Sequence, residues 1–226
     1  MKQYIQNFKK LMMIVLSVVF SNLFKFDVEN FPLFILSGQV IFNFFSESTT
    51  NAMGAILGNA SLIRKIYVPK YLFVISRIFS SFINLMASFT ALILVMVATR
   101  AELHWTVILV PIPLVLLVIF SMGIGLILSA IAVKFRDIMH LYSVFITALM
   151  YLTPIIYPMS ILPAWLKPIV NLNPITNILL MFRDVMLDYT IFDAKSIIIA
   201  VIEAGLALVI GLRVFYKAQD EFILNI

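Results

Sequence analysis

Five stretches of this chain carry almost no charge, and each is long enough to cross a lipid bilayer. Residues 78–99, 105–133 and 141–166 contain no Asp, Glu, Lys or Arg; 30–63 contains only Glu47, and 196–212 only Glu203. A helix rises about 1.5 Å per residue, so roughly 20 apolar residues cover about 30 Å of hydrocarbon. In that medium every backbone N–H and C=O must be paired within the protein, which leaves helices or a closed barrel. Stretches of this length are helices. The remaining composition agrees, because only 12% of the 226 residues are charged and 63% are hydrophobic, whereas a water-soluble domain carries about 25% charged residues.

A sixth apolar run, shorter than the others, lies between Lys10 and Lys25. Before it, Tyr4, Ile5, Phe8 and Leu11 recur at helical spacing beside Lys2, Lys9 and Lys10, a pattern suited to a helix lying in the membrane interface. No small-residue cleavage site follows before Lys25, so we expect a retained first helix rather than a signal peptide. The fold class expected is an all-α integral membrane protein: six transmembrane helices, an amphipathic inner helix between the second and third, and a broken re-entrant element between helices 5 and 6. One transmembrane domain, 1–226, has spans near 7–24, 31–53, 72–98, 106–132, 140–157 and 196–214. The 30–63 stretch is too long for one span; it would reach about 50 Å as a helix, and Gly54 and Gly58 mark bends. Pro32 suits a first helical turn.

Six spans place both termini on one side. With the termini inside, the inner segments hold ten basic residues (Lys2, Lys9, Lys10, Arg64, Lys65, Lys70, Lys134, Arg136, Arg213, Lys217). The outer segments hold five (Lys25, Arg100, Lys167, Arg183, Lys195), and Arg77 lies at the inner end of span three. This bias orients both termini to the cytoplasm. The net charge of +5 is therefore an anchoring pattern, and no nucleic acid is expected as a partner. Cysteine is absent and there are two histidines, so no metal site and no catalytic residue is expected.

Four features stand out. The inner segment 58–70 is basic and amphipathic: Asn59 or Ser61 can cap a short helix ending before Pro69, and Leu62, Ile63, Ile66, Tyr67 and Val68 call for a partner surface, lipid or another subunit. The second inner loop holds Lys134, Arg136 and Asp137; its simplest reading is a positive-inside anchor, the other a contact with a partner. The stretch 154–174 holds five of the nine prolines, interleaved with Ile161, Leu162, Trp165 and Leu166. Broken backbone survives at membrane depth only inside protein or beside a wet cavity, so this region reads as a re-entrant element and an outer gate, with Tyr151, Pro154, Tyr157, Pro158, Leu162, Trp165, Asn173 and Pro174 as its residues. An ordinary outer loop would have no use for so much apolar surface. Glu47 and Glu203 are acids inside apolar stretches, where a charge is expensive; each marks a polar path, a partner contact, a protonated acid or packing against a polar group on a neighbouring helix.

Taken in order, several segments resemble type-2 ABC exporter permeases, in the branch that exports O-antigen, capsule or teichoic-acid polysaccharides. They are FPLFILSGQVIFNFFSES from Phe31, NASLIRKIYVPKYLF from Asn59, VKFRDI from Val133, YLTPIIYPMSILP from Tyr151, LNPIT from Leu172 and FYKAQDEFILNI from Phe215. Family members have a longer cytoplasmic N-terminus and a fuller first span. The resemblance implies a homodimer of permeases with two copies of a cytoplasmic ATP-binding subunit, in the inner membrane of a bacterium. It makes Asn59, Ser61, Leu62, Arg64, Lys65, Ile66, Tyr67 and Pro69 the helix that couples to the ATPase. The chain holds no phosphate-binding Gly-rich loop with Lys and Ser/Thr, so no cofactor is expected here, and ATP and Mg²⁺ belong to the partner. The substrate implied is a lipid-linked glycan, which suits aromatic residues such as Tyr151, Tyr157 and Trp165 that can stack on sugars. Competing readings are an exporter of a drug or lipid, an intramembrane enzyme acting on lipid-linked sugar, and an uncoupled channel.

Overall fold

Proline sets where several of the described helices begin and where one of them stops. The computed structural model describes residues 30–65, 68–101 and 104–222; the expected span 7–24 lies outside them. Helix α1, Phe31–Met53, has Pro32 in its first turn, where the missing N–H would have had no partner. The chain breaks at Gly54 into two one-turn helices, α2 (Ala55–Gly58) and α3 (Ala60–Ile63). Helix α4, Tyr71–Ala98, returns antiparallel to α1. A 3₁₀ turn, Trp105–Leu109, leads into α5, Pro111–Lys134.

Helix α6, Ile138–Leu152, is shorter than the expected span 140–157. Thr153 leaves the helix for an extended conformation (φ −89°, ψ 134°) because it precedes Pro154, whose ring disfavours the helical state of its predecessor. A 3₁₀ turn Met159–Ile161 and helix α7, Lys167–Asn171, lie within the proline-rich stretch. Helix α8, Pro174–Met186, follows, and α9, Ala194–Ala218, closes the fold. No strand occurs among the described residues.

Three helical stretches among these residues are long and apolar enough to cross a membrane: Tyr71–Ala98, Trp105–Lys134 and Ala194–Glu221. Their outward faces are apolar, with Phe79, Leu94, Val115, Ile198 and Leu206 all exposed, as is Leu141 on α6. A water-soluble monomer rarely carries apolar surface on this scale; in lipid it is the expected exterior. The chain is an integral membrane protein.

Inside, α5 is the central helix, packed against α1, α4, α8 and α9. Its contact with α9 is backbone to backbone. A Cβ on Gly123 would lie 2.3 Å from the carbonyl carbon of Ala207, and one on Gly211 would lie 2.3 Å from the Gly123 oxygen. Hydrocarbon gives helices no hydrophobic reason to associate, so small residues that let backbones approach supply the packing energy. Several hydroxyls inside the bundle are satisfied on their own helix: Ser37 donates to Phe34 O, Thr49 to Phe45 O and Ser129 to Leu126 O. The Tyr142 hydroxyl donates to Thr49 Oγ1 at 2.7 Å, tying α6 to α1.

Helix α8 is the element for which the apolar stretches gave no sign. It is only 13 residues long, yet Ile175, Ile178, Leu179, Met181, Phe182, Val185 and Met186 are all buried, and it touches α1, α5 and α9. Phe182 meets Phe89 of α4 edge to face, centroids 6.2 Å apart.

Candidate functional site

Because consecutive long helices run antiparallel, their connections collect at two ends. The end expected to be inner holds α2, α3, the start of α4, the end of α5, the start of α6 and the end of α9. Asn59 stands at the N-terminal cap position of α3, but its side chain does not cap it. Instead its Nδ2 donates 2.7 Å back to Ala55 O, locking α3 against α2. Ile63 is buried, whereas Ser61, Leu62, Arg64 and Lys65 face outward. The segment thus anchors through one apolar residue and presents a mixed apolar and basic face. Pro69 is exposed; Ile66 and Tyr67 lie outside the described residues.

The two loops expected to be inner are joined by the segment that follows α9, a connection that spacing along the sequence does not reveal. Lys70 donates to Gln219 O, and its ammonium sits 5.7 Å above the Phe222 ring. Phe222 is 1% exposed and packs edge to face on Phe215. Lys134, beside the second loop, lies 3.7 Å from Glu221 Oε2. That pair is exposed and contributes little by itself; the buried Phe222 is the anchor. Arg136 and Asp137 are exposed in the turn between α5 and α6.

At the opposite end, the proline-rich stretch is divided between a buried start and an exposed middle. Thr153, Pro154 and Ile155 are buried. Asn173 caps α8, its Oδ1 accepting from Ile175 N at 3.1 Å, while its Nδ2 donates to Thr153 Oγ1 at 2.9 Å. Pro174 occupies the first turn of α8. Tyr157 donates its hydroxyl to Tyr151 O at 2.8 Å. Pro158 and Leu162 are half-buried, and Trp165 is 70% exposed. The residues expected to form an outer gate therefore fall into two groups: Pro154, Asn173 and Pro174 in the packed base, and Tyr151, Tyr157, Pro158, Leu162 and Trp165 on its more exposed side.

Arg183 belongs to this end too. The sequence reading counted it only among the outer basic residues; the structure buries it at 3% exposure. Its Nε donates to Ser37 Oγ (3.2 Å), Nη1 to Pro154 O (2.6 Å), and Nη2 to Phe34 O (2.9 Å) and Ile155 O (3.1 Å). Burial lowers its pKa to about 9, with Asp188 opposing, so the guanidinium is charged at neutral pH. Charged residues are rarely this buried unless paired. The signal available in sequence was weak: one Arg within the apolar spacing of 175–186.

The two acids inside apolar stretches are each matched by an amide on a neighbouring helix. Asn84 Nδ2 donates to Glu47 Oε1 at 2.6 Å, and Asn177 Nδ2 to both oxygens of Glu203 at 3.2 and 3.1 Å. Glu47 also belongs to a longer pattern. Gln39, Asn43, Glu47 and Asn51 recur every four residues on α1, and Ser76, Ser80, Asn84 and Ser88 on α4. The two rows are linked at Glu47–Asn84, and Asn51 Nδ2 donates to Ser81 Oγ (3.1 Å), beside the second row. In a bilayer such a face requires a polar neighbour.

Comparison with known proteins adds an independent line. Residues 1–187 match the family model described as ABC-2 type transporter. The chain is 26% identical over 208 residues to an O-antigen export system permease protein of Klebsiella pneumoniae, covering 90% of this chain and 79% of that protein. It is 24% identical over 212 residues to the O-antigen export system permease of Myxococcus xanthus, covering 93% and 82%. A polysialic acid transport protein of Escherichia coli is 24% identical over 197 residues, covering 87% and 76%.

Proposed function

The chain belongs to the ABC-2 type transporter family, and from that premise we propose that it is the permease subunit of an exporter that moves a lipid-linked polysaccharide out across the bacterial cytoplasmic membrane. It is a transport subunit rather than an enzyme, and a separate cytoplasmic ATP-binding chain supplies the energy, with ATP and Mg²⁺ bound there. Two permeases and two ATP-binding chains form the working unit, with the termini of the permease in the cytoplasm. The substrate class rests on the relatives, which are named as O-antigen and polysialic acid transport proteins.

One structural observation carries the mechanism: the basic, partly apolar face of α2–α3 and the turn at Arg136 lie at one end of the bundle, while the proline element lies at the other. In this reading the ATPase seats against α2–α3 and the Lys134–Asp137 turn. Its closure moves both together, because Lys70 and Lys134 hold the same tail segment. The helices transmit that motion to the outer element of Tyr151, Pro154, Tyr157, Leu162 and Trp165, which opens for the glycan. The fifth and sixth spans flank this element, which dips into the membrane from outside.

Co-expression of the permease with its ATPase tests this reading. The expected result is a stable complex, and ATP-dependent transfer of lipid-linked glycan into inside-out vesicles. Replacing Ile66 and Tyr67 with Ser should leave the permease in the membrane and abolish that transfer. Undiminished transfer by the double variant would remove α2–α3 and the residues after it from the coupling role.

A further inference from the structure

The buried guanidinium of Arg183 joins three segments, and the way it joins them is uneven. Two of its acceptors, Pro154 O and Ile155 O, lie on the turn that begins the proline element; the other two, Phe34 O and Ser37 Oγ, lie on α1. The turn is already fastened to α8 by Asn173, which donates to Thr153 Oγ1. Arg183 is itself on α8. The turn and α8 are thus doubly tied and form one body. Arg183 is a polar link between that body and α1. The hydrogen-bond acceptors are neutral, three carbonyls and a hydroxyl. On the α1 side, Phe34 O also accepts from Ser37 Oγ at 2.7 Å, and the Phe34 ring lies 3.6 Å below the guanidinium carbon. Gly38 leaves the room for this: a Cβ there would stand 2.8 Å from Arg183 Nη2 and 3.0 Å from Ile155 Cα.

We propose that Arg183 is the latch of the outer gate, a positioning residue that holds the proline element and α8 against α1 at rest and releases Phe34 and Ser37 when the element opens. This rests on the reading of that element as a gate in an exporter. A carbonyl and a ring face are suited to the task. They hold a cation while it is desolvated, yet neither carries a charge whose separation from the guanidinium would have to be overcome in a low-dielectric site. The smooth surface at Gly38 lets the guanidinium slide without meeting a side chain. Lysine does not replace it, because a single ammonium cannot span acceptors that three guanidinium nitrogens now reach.

The test uses the permease–ATPase complex in liposomes loaded with a self-quenched fluorescent dye. The dye reports leakage without ATP or glycan; ATP-dependent glycan export is measured separately. R183K, S37A and G38A are the variants, the last perturbing the junction while Arg183 is kept. The expected result is that R183K and G38A assemble with the ATPase and hydrolyse ATP, leak dye at least about tenfold faster than the native complex, and lose export by a similar factor. S37A, which removes one of four acceptors, should show a smaller leak. Assembled R183K and G38A complexes that stay sealed and export normally would overturn the latch. So would failure of both to assemble, which would make Arg183 a folding residue only. A native complex that is sealed but exports no glycan would instead count against the proposed substrate and leave the leak comparison readable.

Discussion

The polar side chains of this protein are few, and several of those inside the bundle are held by a neighbour that sequence spacing does not reveal. Glu203 finds Asn177 and Glu47 finds Asn84; an acid that looks isolated along the chain is matched across helices. Asp184 is a different case. It neighbours Arg183 on α8, between α6 and α9 in the chain, and burial together with the charge of Asp188 pushes its pKa from 3.8 up to about 6. A carboxyl whose pKa is raised by folding is held more tightly in its protonated form in the native state. Its contribution is most favourable below about 4 and is lost as pH rises through about 6. Thermal unfolding in detergent should therefore show a midpoint that falls between pH 4 and 6 in the native chain, and D184N should flatten that fall and raise the midpoint at pH 7. The side chain is only half-buried, so the effect is smaller than the full shift implies. An unchanged pH profile in D184N would show that Asp184 is not the titrating group.

At the scale of elements, the α5–α9 contact depends on the absence of two side chains. A Cβ at Gly123 or Gly211 would fall within 2.3 Å of backbone atoms of the opposite helix. Backbone cannot turn aside as a side chain can, so α9 would have to move away along its length. Overpacking costs about 1–3 kcal/mol, and G123A and G211A belong at or above the top of that range. Gly205, on the same helix, has open space where its Cβ would be, so G205A should be neutral or stabilising by up to about 1 kcal/mol through helix propensity alone. Thermal midpoints of the three purified variants check this. Equal midpoints would mean that α5 and α9 are not held by close approach. The proline element shows the same principle from the other side. Its density of proline is plain in the sequence, but the packing of Thr153 under Asn173 depends on α8 being there to receive it.

The arrangement of the whole molecule has a consequence for topology. Trp165, in the proline element, and Arg136, in the turn between α5 and α6, are both exposed and belong to opposite ends of the bundle. In intact cells, W165C should react with a membrane-impermeant maleimide added outside, and R136C should react only after the membrane is opened. The reverse pattern would invert the orientation. Reaction of both from outside would mean that the chain between them does not cross an odd number of times.

What the sequence determined by itself was the class of fold and the placement of most long helices. Charge is so costly in hydrocarbon that its absence over 20 or so residues leaves little choice, and the expected 31–53, 72–98 and 196–214 fall within or close to α1, α4 and α9. The segment after α1 and the proline stretch also stand out in the sequence, because apolar residues mixed with basic ones in a connection, or prolines among large apolar residues, conflict with plain solvent-facing chain. Only the tertiary structure decided the rest. It buried Arg183 among carbonyls from segments some 30 and 150 residues away, paired Glu203 with Asn177, drew α8 into the core and brought Lys70 and Lys134 to the one segment after α9. Each of these is an interaction between residues distant in sequence. The cost of leaving a polar group unpaired inside a bundle requires that such partners exist; only the packing of one helix against another chooses which they are.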